Sequence, residues 1–438
     1  MIRKALYLCL VIISMASCVY SAEAERDPLP ELLLFRQRTE TQNQSQSKLQ
    51  ITRSYPETAN KTVNRAVAKM VDRLSEAAES KLPGKAAKSA QADTGVTVRV
   101  TGTRTASFFV LAHVAVDQEP RWADFETAVY DLAAGRELAL DDLFDASADE
   151  IIENAVREQL TAYFPDIPAG QKALDRLCAE IRTAPFTLSP AYLQFHYHAS
   201  ELYRGKVTLM HVRIPYRLLT ESMTDYAKQE LDNSNYLLAA LTFDDGPGRG
   251  VTANILRILR EWCAVGTFFN LGRPMRSSHD YIAWEHNAGH AVQSHTYSHT
   301  DRLSDKTVMF EEKERFAREQ TEIIGIPPAY MRAPGGNDKL YAKYGIGMPI
   351  VHWTTLTGDA SGKNKANFAN TMVHTLKETS VILMHNTGHH SVKAADSIAD
   401  RLYKRGYMFV TVDELFEIRG MPMQDNVIYY GDEADQQE

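Results

Sequence analysis

Two adjacent carboxylates, Asp244 and Asp245, stand in the string Leu241-Thr-Phe-Asp-Asp-Gly-Pro247. Like charges held side by side near a core repel, so one pKa rises unless a cation is present. A metal bound to one of them leaves the other free as a base. Taken alone, Asp-Asp-Gly-Pro also reads as an Asx turn capping the next helix. The residues downstream decide against that reading. His295-Thr-Tyr-Ser-His299 places two imidazoles at i and i+4, on one face of a helix, where they can share a metal. The spacing alone is a weak signal, because 14 histidines in 438 residues give roughly half a chance His-x3-His pair. His286/His290 and His385/His389 share that spacing. What singles out His295 and His299 is the apolar run before them, which sets them at a strand end. Asp245, His295 and His299 make an O, N, N donor set with open positions, the pattern of a catalytic metal centre. Arg332-Ala-Pro-Gly-Gly336 adds a guanidinium suited to orienting a carboxylate and a glycine turn whose N–H groups approach a ligand closely. Trp353-Thr-Thr-Leu-Thr-Gly-Asp359 supplies a further carboxylate, and Val381-Ile-Leu-Met-His385 ends an apolar run in a histidine.

These groups need elements to bring them together. The apolar run 236–241 leads into the carboxylates as a buried strand. Gly246-Pro247 forces a turn, and Ile255-Leu256-Ile258-Leu259 has helical spacing. Strand-like runs at 266–271, 291–295, 330–332, 350–353, 381–385 and 409–411 then alternate with helical runs ending at Trp262, near 281–287, and over 304–324, 366–378 and 392–405. Such alternation predicts an α/β fold with a largely parallel sheet. A distorted (β/α) barrel fits, with its chemistry at the carboxyl ends of the strands, where each of the groups above falls.

The rest of the chain is informative in a different way. Hydrophobic content of 44% and charged content of 24% are those of a soluble globular protein, and 438 residues suffice for two or three domains. A net charge of −8 argues against a nucleic-acid partner, and there is no polybasic patch for a membrane surface. Residues 1–24 read as a signal peptide, with Arg3 and Lys4 before an apolar stretch too short to span a bilayer. Two processing readings stand open. Met15-Ala-Ser-Cys18 resembles a lipobox, with Cys18 the lipidated residue, and Ala22-Glu-Ala24 is an ordinary small-residue cleavage site. Either way the protein is expected to be exported, to the periplasm, cell surface or medium, touching a membrane only through a lipid anchor on Cys18. Residues 25–47 are polar and predict a flexible linker. Residues 48–220 predict a smaller α+β domain, with an amphipathic helix marked by Val63, Val67, Met70, Val71 and Leu74. His196 and His198 read as half-exposed sheet residues. The tail 421–438 is acidic and predicted to be disordered. Cys9 and Cys18 lie in the signal, so no disulfide framework follows, and Cys178 and Cys263 read as buried free thiols.

In order and context, Asp244-Asp245, His295/His299, Arg332, Asp359 and Leu383/His385 resemble the five motifs of the NodB-like polysaccharide deacetylases, carbohydrate esterase family 4. The resemblance covers 236–418. It implies that Asp244 is the general base and His385 the general acid. Asp245, His295 and His299 would hold a divalent metal, Zn2+ in the first place with Co2+ or Mn2+ as alternatives. Asp359 would pair with Arg332 and tune the acid and base, and Leu383 would line the acetyl pocket. Pro334, Gly335 and Trp353 would bind substrate. The physical logic agrees: the metal lowers the pKa of a water that attacks the acetamide carbonyl, and Asp244 takes its proton. The metal and a backbone N–H, that of Gly335, stabilise the oxyanion. The family usually has an aromatic residue at Gly335, an Asp at Leu356 and a Trp at Ala360. Those changes remove walls of the sugar groove rather than catalytic groups. Upstream, Asp141-Asp-Leu-Phe144, Phe186-Thr-Leu188, Leu193-Gln-Phe195 and Val212-Arg-Ile-Pro-Tyr216 resemble an RsiV-like extracellular module over 48–220. The expected function is an exported N-deacetylase acting on N-acetylglucosamine or N-acetylmuramic acid of peptidoglycan. A chitooligosaccharide or xylan deacetylase, and a catalytically silent glycan-binding or sensor protein, are the alternatives. The expected partner is an acetylated glycan polymer, peptidoglycan or chitin-like.

Overall fold

The computed structural model describes residues 26–44, 49–83, 89–300, 305–361, 376–431 and 433–435. The signal segment with Cys18, and most of the helix expected over 366–378, lie outside them. Strands β1 (Arg36–Gln44), β2 (Leu49–Glu57), β3 (Ala90–Thr101), β4 (Thr105–Val116), β5 (Glu119–Asp131) and β6 (Arg136–Glu137) form one sheet in sequence order. All its pairs are antiparallel except β2 and β3. A parallel pair needs a crossover, and the helix Lys61–Ser80 supplies it. Its N-terminus is capped by Asn60, which accepts from the N–H groups of Thr62 and Val63. Val63, Val67, Met70, Val71 and Leu74 turn their common face to the sheet and are buried. Strand β4 shows how the sheet is used. Successive side chains face opposite ways: Phe108, Val110, Ala112 and Val114 pack toward the helix, while Phe109 and Leu111 join a core with Leu241, Phe243 and Ile255 from the second half of the chain.

Two expectations about the ends fail here. Residues 26–44 are not a loose linker: Leu29, Leu33 and Phe35 are buried, Asp27 bridges Tyr236, and β1 pairs with β2 over its whole length. An edge strand is held by backbone hydrogen bonds, so its outward side chains can stay polar, and the hydrophobicity pattern misses it. Among the described residues of the acidic tail, Ile428–Tyr430 and Glu433–Asp435 form strands.

A second small sheet of antiparallel strands, β7 (Phe186–Leu188), β8 (Tyr192–His198) and β9 (Leu209–Pro215), packs with the helices Asp149–Ala162 and Gln171–Ala179 around its own core. His196 on β8 is buried, against the half-exposed reading; it meets His211 of β9 with Nδ1 to Nδ1 at 2.8 Å. Cys178 is buried and Cys263 half-buried, and both are free thiols.

The second half is a mixed α/β unit built on β10 (Leu238–Gly246), which is buried along nearly all its length. Parallel strands β11 (Gly266–Asn270), β12 (Ala291–Ser294), β14 (Thr355–Leu356) and β15 (Thr379–His385) surround it in the order β12-β11-β10-β15-β14, and β16 (Met408–Phe409) pairs with the start of β10. Strands buried on both faces read as continuous apolar runs, as β10 and β15 do. The expected barrel does not close. Single bridges run from Ser294 to Met331 and from Met331 to Ile350, reaching β13 (Ile350–Val351). There the tail strand β17 (Ile428–Tyr430) takes the other edge of β13, with β18 (Glu433–Asp435) beyond it. No ladder joins β13 to β14 among the described residues. The tail's apolar Ile428 and Tyr429, both buried, explain why an acidic segment is ordered here.

The two halves are tied together by buried polar contacts as well as by the shared core. Arg99 pairs with Glu414, Arg260 with Asp93, and Arg213 with Asp413 at 2.9 Å. Asn287 accepts from Thr208 Oγ1 and from the Leu209 N–H, each at 2.9 Å. Among the described residues, no helix is long and apolar enough to cross a membrane.

Candidate active site

Asp244 and Asp245 end β10, and the way they share a site is a matter of local backbone. In a regular strand consecutive side chains would point to opposite faces. Pairing of β10 with β11 slips between Asp244 and Gly246, and Asp245 sits in the left-handed region at φ 69°. This bulge adds one residue and re-aims its side chain. Asp244 is level with His385 on the neighbouring β15.

Beyond the end of β12, His295 donates from Nδ1 to the Arg332 carbonyl at 2.9 Å. That bond fixes the tautomer and leaves Nε2 as a ligand atom. Nε2 lies 3.5 Å from Asp245 Oδ1, and His299 Nε2 lies 3.8 Å from the same oxygen. The histidine pair is not on a helix, as its spacing suggested. Both follow β12 in a loop where Thr296 and His299 take positive φ values of 68° and 55°. The loop is held by Glu312, which accepts from the Ser298 N–H at 2.6 Å and from Ser298 Oγ at 2.8 Å. The ligand atoms of Asp245, His295 and His299 all lie within 4.8 Å of one another. Asp245 Oδ1 is buried with no hydrogen-bond partner among the described residues, a costly state that a cation relieves. Burial lowers the pKa of His295 against the pull of Asp244 and Asp245, which favours the neutral, ligating ring. The donor set therefore fits a divalent ion.

Asp244 is held rigidly. Arg332 is fully buried and donates from Nη1 to Asp244 Oδ1 at 2.8 Å and to Thr242 Oγ1 at 2.6 Å, and from Nε to the Val351 carbonyl at 3.1 Å. Its guanidinium carbon stands 4.2 Å from the centre of the Phe269 ring. This corrects the expected pairing of Arg332 with Asp359. A wholly buried cation requires a carboxylate at hydrogen-bond distance, and Asp244 is the one at hand.

Asp359 pairs with His385 instead. Its Oδ1 lies 2.9 Å from His385 Nδ1, and its Oδ2 accepts from the His385 N–H at 2.8 Å and from Ser391 Oγ at 2.6 Å. Burial opposes charge on Asp359, but hydrogen bonds from His385 and Ser391 hold its pKa below the usual carboxylate range. Burial likewise opposes charge on His385, yet the Asp359 hydrogen bond and charge, with Asp244 and Asp245, raise its pKa above the ordinary imidazole value. His385 Nδ1 is committed to Asp359, which leaves Nε2 as its other ring nitrogen.

The expected substrate residues surround this set unevenly. Leu383 shares a face of β15 with His385 and is buried. Pro334 is buried and Gly335 sits at φ 64° in the turn directly after Arg332. Trp353 stacks on His352 with ring centres 3.8 Å apart, and its ring centre lies 5.9 Å from the Arg332 guanidinium carbon. A side-chain carbon at Gly336 would come within 3.0 Å of Trp353, so the glycine turn and that ring are in close approach. Leu356, where the family pattern has an Asp, is 57% exposed. Sequence reasoning missed Thr242, Glu312 and Ser391. Thr242 could have been found, since it lies two residues before Asp244 on the same strand face; nothing local marks the other two.

The model of the family described as polysaccharide deacetylase matches residues 233–344, which hold the paired carboxylates, both loop histidines and Arg332. A peptidoglycan-N-acetylglucosamine deacetylase of Bacillus cereus is 33% identical over 190 residues, covering 41% of this chain and 68% of that protein. The chain belongs to the polysaccharide deacetylase family. Peptidoglycan-N-acetylglucosamine deacetylase PgdA of Listeria monocytogenes is 29% identical over 178 residues, which is 40% of this chain and 38% of that relative's length. The peptidoglycan-N-acetylmuramic acid deacetylase PdaC of Bacillus subtilis is 25% identical over 332 residues, 67% of this chain and 69% of its own. That alignment is longer than the deacetylase domain and so takes in part of the upstream half. Asp359 and His385 lie beyond the stretch matched by the family model.

Proposed function

We propose that this chain is an exported, metal-dependent N-deacetylase that removes acetyl groups from N-acetylglucosamine or N-acetylmuramic acid of peptidoglycan. The observation that carries the reading is the division of labour at the strand ends. A carboxylate locked by Arg332 and a histidine raised by Asp359 stand level on adjacent strands, beside an O, N, N set. Asp245, His295 and His299 would hold the divalent ion, Zn2+ ahead of Co2+ or Mn2+. When bound, the ion supplies Lewis acidity and an acidified water for attack on the acetamide carbonyl.

The protein groups do the rest. Asp244 keeps Oδ1 on Arg332, so Oδ2 is the atom that accepts the proton of the attacking water. His385, kept protonated through Asp359, gives a proton from Nε2 to the leaving amine nitrogen. The Gly335 N–H is assigned to the oxyanion, with Leu383, Pro334 and Trp353 forming walls for the acetyl group and sugar. An exposed Leu356 and a glycine at 335 open the groove, which suits a bulky polymer. Peptidoglycan is preferred over chitin-like chains or xylan because the relatives PgdA and PdaC are named for it. The charged n-region and apolar stretch of residues 1–24 support export, with lipidation at Cys18 as one route of retention. The upstream 48–220 segment is read as an RsiV-like extracellular module. The intact acid and base weigh against a silent binder.

The test is acetate release by the full mature chain from peptidoglycan, chitooligosaccharide and acetylated xylan in parallel. Release from peptidoglycan, with new free amines on glucosamine or muramic acid, is expected. Release from xylan alone sinks the peptidoglycan reading, and release from none sinks the enzyme.

A further inference from the structure

Away from the catalytic strand ends, a cavity of about 270 Å3 lies where the two halves of the chain meet. Tyr163, His211 and Arg213 from the upstream half form one wall, and Gln293, Tyr330 and Asp413 from the deacetylase half form the other. Such a volume would hold about nine waters, or one sugar ring.

Much of the lining is apolar, and the few polar groups on it carry no net charge. His211 is 7% exposed, and its Nε2 is buried without a partner among the described residues. Its Nδ1 shares a hydrogen with His196 Nδ1, and His196 Nε2 meets Thr187 Oγ1 at 2.8 Å. A threonine hydroxyl both donates and accepts. The relay can therefore run in either direction, and His211 Nε2 presents a lone pair or an N–H as the occupant requires. On the same wall, Arg213 donates from Nη1 to Asp413 across the cavity at 2.9 Å, and Tyr330 donates to the other oxygen of that carboxylate at 3.1 Å. A guanidinium and a carboxylate have more donors and acceptors than these bonds use, and their charges cancel. Burial lowers the pKa of His286 to about 4 and that of His290 to about 3, so both add hydrogen-bonding edges without charge. A free ion of either sign would bring an uncompensated charge into this site, at high cost. A neutral molecule rich in hydroxyl groups, each donor and acceptor at once, meets every edge.

We propose that this cavity is a second binding site, taking a single neutral sugar ring hydrogen-bonded to His211 and to the Arg213–Asp413 pair and packed against Val292 and Ile326. Its floor is connected to the catalytic strand ends. Gln293 accepts from the N–H groups of Ala329 and Tyr330, at 2.9 and 3.2 Å. Gln293 precedes His295, and Tyr330 precedes Arg332, by two residues each. The occupant thus bridges the upstream module and the strand ends that carry the chemistry.

The proposal is tested by amide hydrogen exchange on the full chain, with free N-acetylglucosamine and glucose as probes, sodium acetate as the charged comparison, and a chelator present or absent. At roughly ten times the Kd, sugar slows exchange about tenfold in peptides covering 209–213 and 286–293, with or without chelator, and acetate does not. Ala162 is exposed and lines the mouth of the cavity, so Ala162→Trp blocks entry without touching the core and abolishes the protection. His211→Phe keeps the ring and weakens the response about tenfold. No protection at the highest soluble sugar concentration, meaning a cavity that holds water only, overturns the proposal. So does protection that survives Ala162→Trp, or equal protection by acetate. Acetate release plays no part in the readout, so this test stands or falls apart from the deacetylase reading.

Discussion

Two groups of histidines occupy this chain, and they differ in what faces them. His295, His299 and His385 look onto Asp245, Asp244 and Asp359 at the open ends of strands. His196, His211 and His286 look onto one another and onto aromatic rings: His211 and His286 have centres 5.0 Å apart, and Phe109 and His196 4.5 Å. In the first group, Asp359 raises His385; the second is held neutral by burial, with His196 lowered to about 3 and His286 to about 4. Spacing in sequence does not separate them, since His286/His290 has the same i, i+4 interval as His295/His299. The neighbouring carboxylates do.

The largest expected effect lies on the catalytic side. Asp244→Asn removes the base and should lower acetate release by about 10^2–10^4 in kcat, measured on soluble N-acetylglucosamine oligomers. A variant within a factor of a few of wild type would show that Asp244 is structural. Arg332→Met comes next, because it leaves Asp244 buried without its partner. It should cost about 3–5 kcal/mol in urea unfolding, and the double variant Asp244→Asn/Arg332→Met should cost less than the sum of the two singles.

The buried group carries a smaller, pH-dependent effect. His196 and His286 have folded pKa values below their unfolded value. Below pH 6.5 the unfolded chain therefore binds protons that the folded chain refuses, and stability falls as pH drops toward the folded values. The slope is about 1.4 kcal/mol per pH unit for each such group. His286→Gln, which can still donate to the Leu209 carbonyl, should flatten it, and unchanged urea midpoints between pH 7 and 5 would contradict the neutral reading. The last effect is on the acid pair. Asp359→Asn removes the charge that raises His385, so the alkaline limb of the kcat profile should move to lower pH. The linkage signs also differ within this pair. His385, held high, stabilises below its unfolded pKa and loses that as pH rises through its folded value. Asp359, held low, stabilises above its unfolded pKa and loses that as pH falls through its folded value. The pair is fully effective between about pH 4 and 6.5.

Most of the candidate site was legible because a strand ending in a polar residue is a local pattern: Asp244, His295 and His385 each close an apolar run. What was not legible depends on partners distant in sequence. Arg332 takes Asp244 rather than Asp359 because of which strands are adjacent, and no interval in the chain encodes that. The left-handed turn at Asp245 and the loop conformation of His299 are held by tertiary contacts such as Ser298 with Glu312. The parallel α/β character followed from strand–helix alternation, but the opening of the ring did not, because it turns on β17 occupying the edge of β13. Polar β1 was misread because backbone pairing at an edge leaves no hydrophobic trace in the outward side chains. The tail was misread because its acidic residues mask Ile428 and Tyr429, which are buried.

The central claim is that Asp245, His295 and His299 hold the ion on which turnover depends, next to an intact acid and base. It is tested most directly by measuring bound divalent metal and acetate release on one preparation of the full chain, as purified, after chelation, and after Zn2+ is restored. The account predicts one metal per chain, loss of acetate release on chelation and recovery on readdition, and no metal in His295→Ala. Acetate release untouched by chelation, or stoichiometric metal with no acetate from any acetylated glycan, would contradict it.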